Sequence, residues 1–161
     1  QPLHEDLVDV AFLSTLGQVH CDQPFLGVRV LATERFVVAV PPSHPLAASP
    51  TVSLGDLAGE TLVMLGREVC VYWHDHLLAM AERGGFTPHA VRYAGELGAL
   101  LTLVAAGLGV ALVQESTRML RADGLVFREV SDADQPVVSA AMWRSGDPSP
   151  VLARFLDLLP E

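Results

Sequence analysis

The sequence predicts an α/β domain of two lobes with mostly parallel sheets, and three observations carry that prediction. The first is LGALLTLVAAGLGVALV at 97–113, an apolar helix that stops at Gly107 and turns directly into an apolar strand. Leu97, Leu100, Leu101, Val104 and Ala105 recur at helical spacing with no charge on any face, which predicts a helix buried almost all round. Gly107 falls where a left-handed C-cap is wanted, and Gly109 opens a run suited to a strand covered on both faces. A helix running so tightly into a buried strand is half of a βαβ unit, hence the parallel pairing. The second observation is the alternation of strand-like and helix-like segments along the chain. The third is a pair of punctuated crossings, PPSHPLAASP at 41–50 and SDADQP at 131–136. They bracket a β-α-β-α-β block and leave strands at both ends of the chain.

Taken in order, 7–13 and 26–32 read as strands, and RFVVAV at 35–40 as a stronger one. Four prolines in 41–50 argue against regular structure there. Residues 53–57 form one helical turn, capped by Ser53 with Asp56 three positions on. A short strand at 61–65 precedes an amphipathic helix at 73–83, with Trp73, Leu77, Met80 and Ala81 on one stripe and Gly84-Gly85 as its stop. Residues 90–93 form a strand before the helix and strand already described. Two further strands, 125–130 and 137–143, lead to a helix through Leu159 that Ser149-Pro150 opens. The simplest architecture puts 1–50 and 135–161 in the first lobe and 51–134 in the second, with a ligand cleft between them.

Composition narrows the function classes. Half the residues are hydrophobic and 18% are charged, as expected of a globular domain with a buried sheet. Ten basic against nineteen acidic residues leave a formal charge of −9, which repels nucleic-acid phosphates. Any nucleic-acid role then belongs to a segment outside this sequence. No apolar run reaches the roughly 18 unbroken residues that span a membrane. Cys21 and Cys70 are too few for a disulfide scaffold and point to a reducing compartment, the cytoplasm. The chain opens on Gln1 rather than Met and enters a strand almost at once, so a fragment is expected. The Gly-Leu-Gly is no nucleotide loop, because there the glycines follow a strand and open a helix. No nucleophile elbow, Walker loop, paired metal carboxylates or Cys-x-x-Cys occurs, so neither an enzyme nor a cofactor is called for.

Six segments in order resemble the regulatory half of LysR-type transcriptional regulators. They are Leu7-Val8-Asp9-Val10-Ala11-Phe12, Glu34-Arg35-Phe36-Val37-Val38-Ala39-Val40, Ser43-His44-Pro45-Leu46-Ala47, Leu54-Gly55-Asp56-Leu57-Ala58, Gly85-Phe86-Thr87-Pro88, and the run from Val104 through Gly107-Leu108-Gly109 to Val113. The resemblance runs from about Asp6 to about Arg144. It implies a periplasmic-binding-protein-like (type 2) effector-binding domain that takes a small organic effector, often a carboxylate, between its lobes. It also implies a homodimer or homotetramer, with DNA bound only through an N-terminal helix-turn-helix that this sequence does not contain. The family places one more strand and helix before Leu7, so the first lobe is expected to be incomplete. Subunits of the family pair antiparallel, which makes the helices at 73–83 and 150–159 interface candidates.

Carried onto this chain, the second-lobe wall of the site falls on Gly66, Arg67, Glu68 and the helix start at Trp73. A helix N-terminus offers free N–H groups and partial positive charge, and Arg67 could add a two-pronged clamp on a carboxylate. Against that, Arg67 could pair with neighbouring Glu68 or with an exposed acid. Trp73 belongs either to the wall or to the helix's core stripe. Gly95, Glu96, Leu97 and Gly98 form a second wall, where the two glycines let backbone approach a ligand, or merely a tight strand-to-helix turn. Leu13 and Ser14 follow the first strand and face the cleft, unless Ser14 is a simple turn residue. CVYWHDH at 70–76 looks metal-like, yet no single conformation gathers Cys70, His74, Asp75 and His76, so no metal is expected. His44 reads as a turn residue. Two alternatives share the scaffold: a type 2 solute-binding protein of a transporter, and a small-molecule enzyme of the prephenate dehydratase or deaminase kind.

Overall fold

The computed structural model describes residues 3, 7–19, 21, 23–120, 123–133 and 135–160. Asp6, where the resemblance begins, lies outside the described residues. So do Gln1, Asp134 and Glu161, the expected ends of the lobes. In chain order the described strands are β1 (Val10–Leu16), β2 (Leu26–Glu34), β3 (Phe36–Val40), β4 (Thr51–Val52), β5 (Leu62–Leu65), β6 (Val91–Ala94), β7 (Ala111–Gln114), β8 (Val126–Val130) and β9 (Val137–Arg144). The described α-helices are α1 (Val71–Arg83), α2 (Leu97–Ala105) and α3 (Pro150–Asp157). Two compact units result: Gln1–Glu34 with Gln135–Glu161, and Arg35–Asp134.

The first unit is a three-stranded antiparallel sheet in the order β1-β9-β2. β9 sits in the middle because it can be covered on both sides: Val137, Val138, Ala140 and Ala141 are all buried. Gly27 lies opposite Trp143, and a side chain there would overlap the indole ring. Arg144 gathers the N-terminal segment, donating to the carbonyls of Leu3 at 3.1 Å and Val8 at 2.8 Å and to Asp9 and Asp147 at 3.0 and 2.9 Å. The Ser149 hydroxyl accepts from the Leu152 N–H at 3.3 Å, capping α3 as its Ser-Pro start predicts. Val151 on this helix and Leu158 at its C-cap stay exposed.

The second unit carries the larger core. Its four-stranded sheet runs β4-β8-β3-β7, and a parallel bridge between Leu62 and Val110 joins the parallel β5–β6 pair to the start of β7. Val37, Ala39, Val63, Ala94, Ala111 and Val113 meet Leu100, Leu101 and Val104 of α2 in one cluster. α1 buries His74, Leu77, Met80 and Ala81.

Among the described residues parallel pairing is confined to β5–β6, β4–β8 and the Leu62 bridge, where the sequence predicts mostly parallel sheets. β3 is antiparallel to both β7 and β8, and the first unit is antiparallel throughout. The reason is local: only the β5-α1-β6-α2-β7 run has crossover helices, and crossover helices are what make neighbours parallel. Residues 35–50, expected in the first lobe, group with the second unit, because the fully buried β3 makes its ladders there. Residues 41–50 also hold a 3-10 turn at Pro45–Ala48, capped by His44 Nδ1 accepting from the Leu46 N–H at 3.2 Å. The Ser53–Asp56 capping box forms, with the hydroxyl accepting from the Asp56 N–H and the carboxylate from the Ser53 N–H.

α2 ends as its glycine predicts. Gly107, at φ +75°, lets its own N–H reach the Val104 carbonyl and that of Leu108 the Leu103 carbonyl. Burial all round does not hold, however. Gly98 and Thr102 face outward, and the Thr102 hydroxyl is satisfied by the Gly98 carbonyl at 2.9 Å. An uncharged residue does not report which way it points. α1 begins at Val71, two residues before Trp73, with Cys70 as an N-cap that makes no side-chain hydrogen bond. A further 3-10 segment, Glu115–Leu120, has no counterpart in the sequence expectations.

Candidate functional site

Within the second unit, β5 and β6 run side by side and each turns directly into a helix. Leu65 pairs with Ala94, and the Gly66 N–H reaches the Ala94 carbonyl at 3.1 Å, so the two turns are neighbours. Gly66, Arg67, Glu96, Leu97 and Gly98 thus collect where two parallel strands end and two helices begin. In open α/β sheets ligands bind outside the carboxyl ends of the strands. Val69 in the turn before α1, and Val71 and Tyr72 in its first turn, are exposed.

The Arg67 charge in this corner is already paired. Arg67 Nε and Nη2 each donate to one oxygen of Asp75 at 3.0 Å, a two-pronged ion pair between half-exposed groups. Asp75 also contacts Nδ1 of His74 at 3.1 Å, and His74 Nε2 lies 3.4 Å from the Tyr93 hydroxyl. The His74 ring is buried and lies across the face of Tyr93 with centroids 5.7 Å apart. The Arg67 guanidinium, then His74, holds the Asp75 carboxyl down to about 2, and the same pair raises Arg67. Glu68 folds its carboxylate over Gly66, where an added side chain would strike it, and the Glu96 carboxylate lies beside Gly98. Glu96 is the N-cap of α2 but makes no side-chain cap bond.

Of the remaining expected residues, Trp73 is half-buried and tilts against Phe36 at 5.4 Å. Phe36 is stacked on its other neighbour His76 at 5.7 Å. His76 Nε2 is buried without a hydrogen-bond partner, and burial, then Arg83, lowers its affinity for a proton. Leu13 and Ser14 are not beyond the first strand. They lie inside β1, which Thr15 and Leu16 extend until Gly17 turns at φ +71°. Ser14 faces Ser139 across the ladder at 3.2 Å, so it is a strand residue and not a turn residue. Asp75, His74 and Tyr93 were absent from the expected site. Spacing does not reveal them, since Arg67 meets Asp75 only because the chain folds back between β5 and α1.

No group of three or more metal-ligating side chains occurs among the described residues, and Cys70 is an exposed free thiol. A cavity of about 380 Å³ runs along the outer face of α2, lined by Gly98, Leu101, Thr102, Ala105, Leu120 and Asp123. In the first unit another, of about 560 Å³, is lined by Asp9, Val10, Ser149, Val151, Leu152 and Phe155. No described helix is long and apolar enough to cross a membrane.

Known proteins give this geometry its context. The model of the LysR substrate binding domain matches residues 1–161. The HTH-type transcriptional regulator CatR of Pseudomonas putida is 31% identical over 163 residues, which cover 100% of this chain and 54% of that protein. The solved effector binding domain of BenM with its effector benzoate superposes with a TM-score of 0.75 at 27% identity, covering 94% of this chain and 67% of that one. A variant of the same effector binding domain gives a TM-score of 0.78 at 26% identity, with 97% of this chain and 71% of that chain covered. The chain spans about half the length of the curated relatives it matches.

Proposed function

The chain belongs to the LysR substrate-binding domain family, and from that premise we propose that it senses a small organic acid on behalf of a LysR-type transcriptional regulator. Its fold is the periplasmic-binding-protein-like fold of LysR effector-binding domains. The observation that carries the reading is the corner where β5 and β6 end together. There β5–β6 pairing sets the turn before α1 beside the turn before α2, and the Arg67 guanidinium and the side chains Val69, Val71 and Tyr72 lie close along the chain at the first of them, a combination suited to an acid with an apolar body. BenM, solved with benzoate as effector, makes an aromatic acid the natural first probe.

In this reading Gly66, Arg67, Glu96, Leu97 and Gly98 line the effector site of the second unit. Trp73 packs on Phe36 beneath it, and Leu13 and Ser14 are further effector-binding candidates on β1 of the first unit. The two compact units are the two lobes. The effector acts by favouring one conformation through its differential affinity, and a homodimer or homotetramer carries that bias to DNA-binding segments elsewhere in the protein. The domain binds without turnover, needs no cofactor, and works in the cytoplasm where its promoter is. The transporter alternative is not favoured, since the matched family and the named relatives are transcriptional regulators.

Titration calorimetry of the chain with benzoate and a panel of aliphatic and aromatic carboxylates, each against its neutral amide, tests the reading. It predicts saturable binding of at least one acid and weaker binding of the matching amide, with Arg67→Gln weakening the acid only. Equal binding of acid and amide, or no binding by any acid, contradicts it.

A further inference from the structure

We propose that Asp75 is a built-in competitor for the effector, a resident carboxylate that occupies the Arg67 guanidinium until an acid exchanges with it. The inference rests on the reading of the β5–β6 end as the effector site. Arg67 presents Nε and Nη2 to both oxygens of Asp75 at 3.0 Å. This fork is the geometry in which a guanidinium takes a free carboxylate. An incoming acid therefore replaces the pair with a chemically equal one, whereas a neutral amide has no matching pair of charged oxygens to offer.

Two features make the exchange feasible. Both partners are about half exposed, with 59% of the Arg67 side chain and 51% of that of Asp75 open to solvent, so the pair opens without stranding a charge in the interior. In addition, Asp75 does not depend on Arg67 alone. His74 Nδ1 remains 3.1 Å from its carboxylate, and the Tyr93 hydroxyl steadies the other ring nitrogen. His74 is thus a positioning residue that keeps Asp75 satisfied when the guanidinium leaves. The consequence is selectivity. Asp75 lowers the affinity for every ligand that needs Arg67 and repels acids that do not displace it. Exchange also cuts the link between the β5–α1 turn and the body of α1.

The test is calorimetric titration of benzoate and benzamide into the wild-type chain, Asp75→Asn, Arg67→Gln and the double variant, with circular dichroism confirming each fold. Asp75→Ala is run in parallel, so that a folding defect in one substitution does not decide the outcome. The expected result is benzoate binding about fivefold tighter in Asp75→Asn than in wild type, the upper end for a half-exposed ion pair. Benzamide should be unchanged, and the gain should vanish in the Arg67→Gln background. Benzoate bound equally or more weakly by Asp75→Asn overturns the proposal, and so does a gain that survives Arg67→Gln. If Arg67→Gln still weakens benzoate in either case, the site reading stands and only the competitor is lost. Benzoate bound by none of the proteins overturns the competitor as well, while the wider acid panel separately decides the site. Benzoate bound by Arg67→Gln as by wild type removes both.

Discussion

The two compact units solve the same burial problem in opposite ways. In the second, β3 lies under cover on both faces and every residue from Phe36 to Val40 is buried. In the first, β1 is half-covered: Phe12 is 62% exposed, and its described aromatic neighbour is Phe155 of α3, edge-on at 6.3 Å. The difference teaches where a continuous apolar run and an interrupted one lead. FVVAV has no polar break and becomes a strand buried on both faces, whereas VAFLSTL mixes apolar and polar positions and becomes a half-covered strand. Stability and ligand binding should therefore reside chiefly in the second unit.

The sharpest way to break that contrast is a matched pair of truncations. Leu101→Ala empties a site in the α2 cluster and should cost about 3 kcal/mol in urea unfolding, as buried leucines do. Phe12→Ala removes a mostly exposed ring and should cost no more than about 1 kcal/mol, the scale of one aromatic edge contact. Equal costs would mean the first unit is as dependent on its surface as the second is on its core.

A smaller effect separates two glycines. Gly17, in the first unit, turns at φ +71° into open space, so Gly17→Ala should cost about 1 kcal/mol from backbone conformation alone. Gly109, in the second, has φ +153°, and an added methyl would strike the Thr61 carbonyl. Gly109→Ala should therefore cost about 2–3 kcal/mol. Chemical denaturation of both variants decides whether the close approach of β5 to Val110 matters as much as the geometry implies.

Acid sharpens the contrast further, at the smallest scale. Burial lowers the proton affinity of His76 in the folded second unit, so the unfolded chain takes up that proton first as the pH falls. Its contribution is present above about pH 6.5, the ordinary histidine value, and is lost below it. In the first unit Asp147 is held below the carboxylate range by the Ser149 N–H and then Arg144. That contribution survives until the pH drops under about 4. The melting temperature should therefore begin to fall as the pH drops through about 6.5, and His76→Phe, which keeps the stack on Phe36, should flatten that part of the curve. An unchanged slope would show that His76 is not the group responsible.

Much of the element order was legible because punctuation and periodicity agreed. Ser53 with Asp56, Ser149-Pro150 and Gly107 each mark a helix end by local chemistry, and each end lies close to its mark. Strand direction was less legible. Parallel pairing can be inferred from a crossover helix, and outside the β5-to-β7 run there is none, so β3 and β9 could not be oriented from their residues. The candidate site was legible to the same depth. The two turns beside Gly66 and Glu96 follow from strand-to-helix order, while the Arg67–Asp75–His74–Tyr93 chain depends on side chains from three elements meeting. No spacing rule joins residues 67, 75 and 93. The polar pair Ser14-Thr15 reads as the end of the first strand, whereas the ladder with β9 continues through it to the buried Leu16.

The central claim is that the β5–β6 end of the second unit binds an organic acid. Amide chemical-shift mapping of the isotope-labelled chain during a benzoate titration tests it most directly. Saturable shifts concentrated at Gly66, Arg67 and the first turn of α1, together with Glu96, Leu97 and Gly98, are the predicted result. Shifts confined to the outer groove of α2 or to the α3 face of the first unit, or none at saturating benzoate, would contradict it.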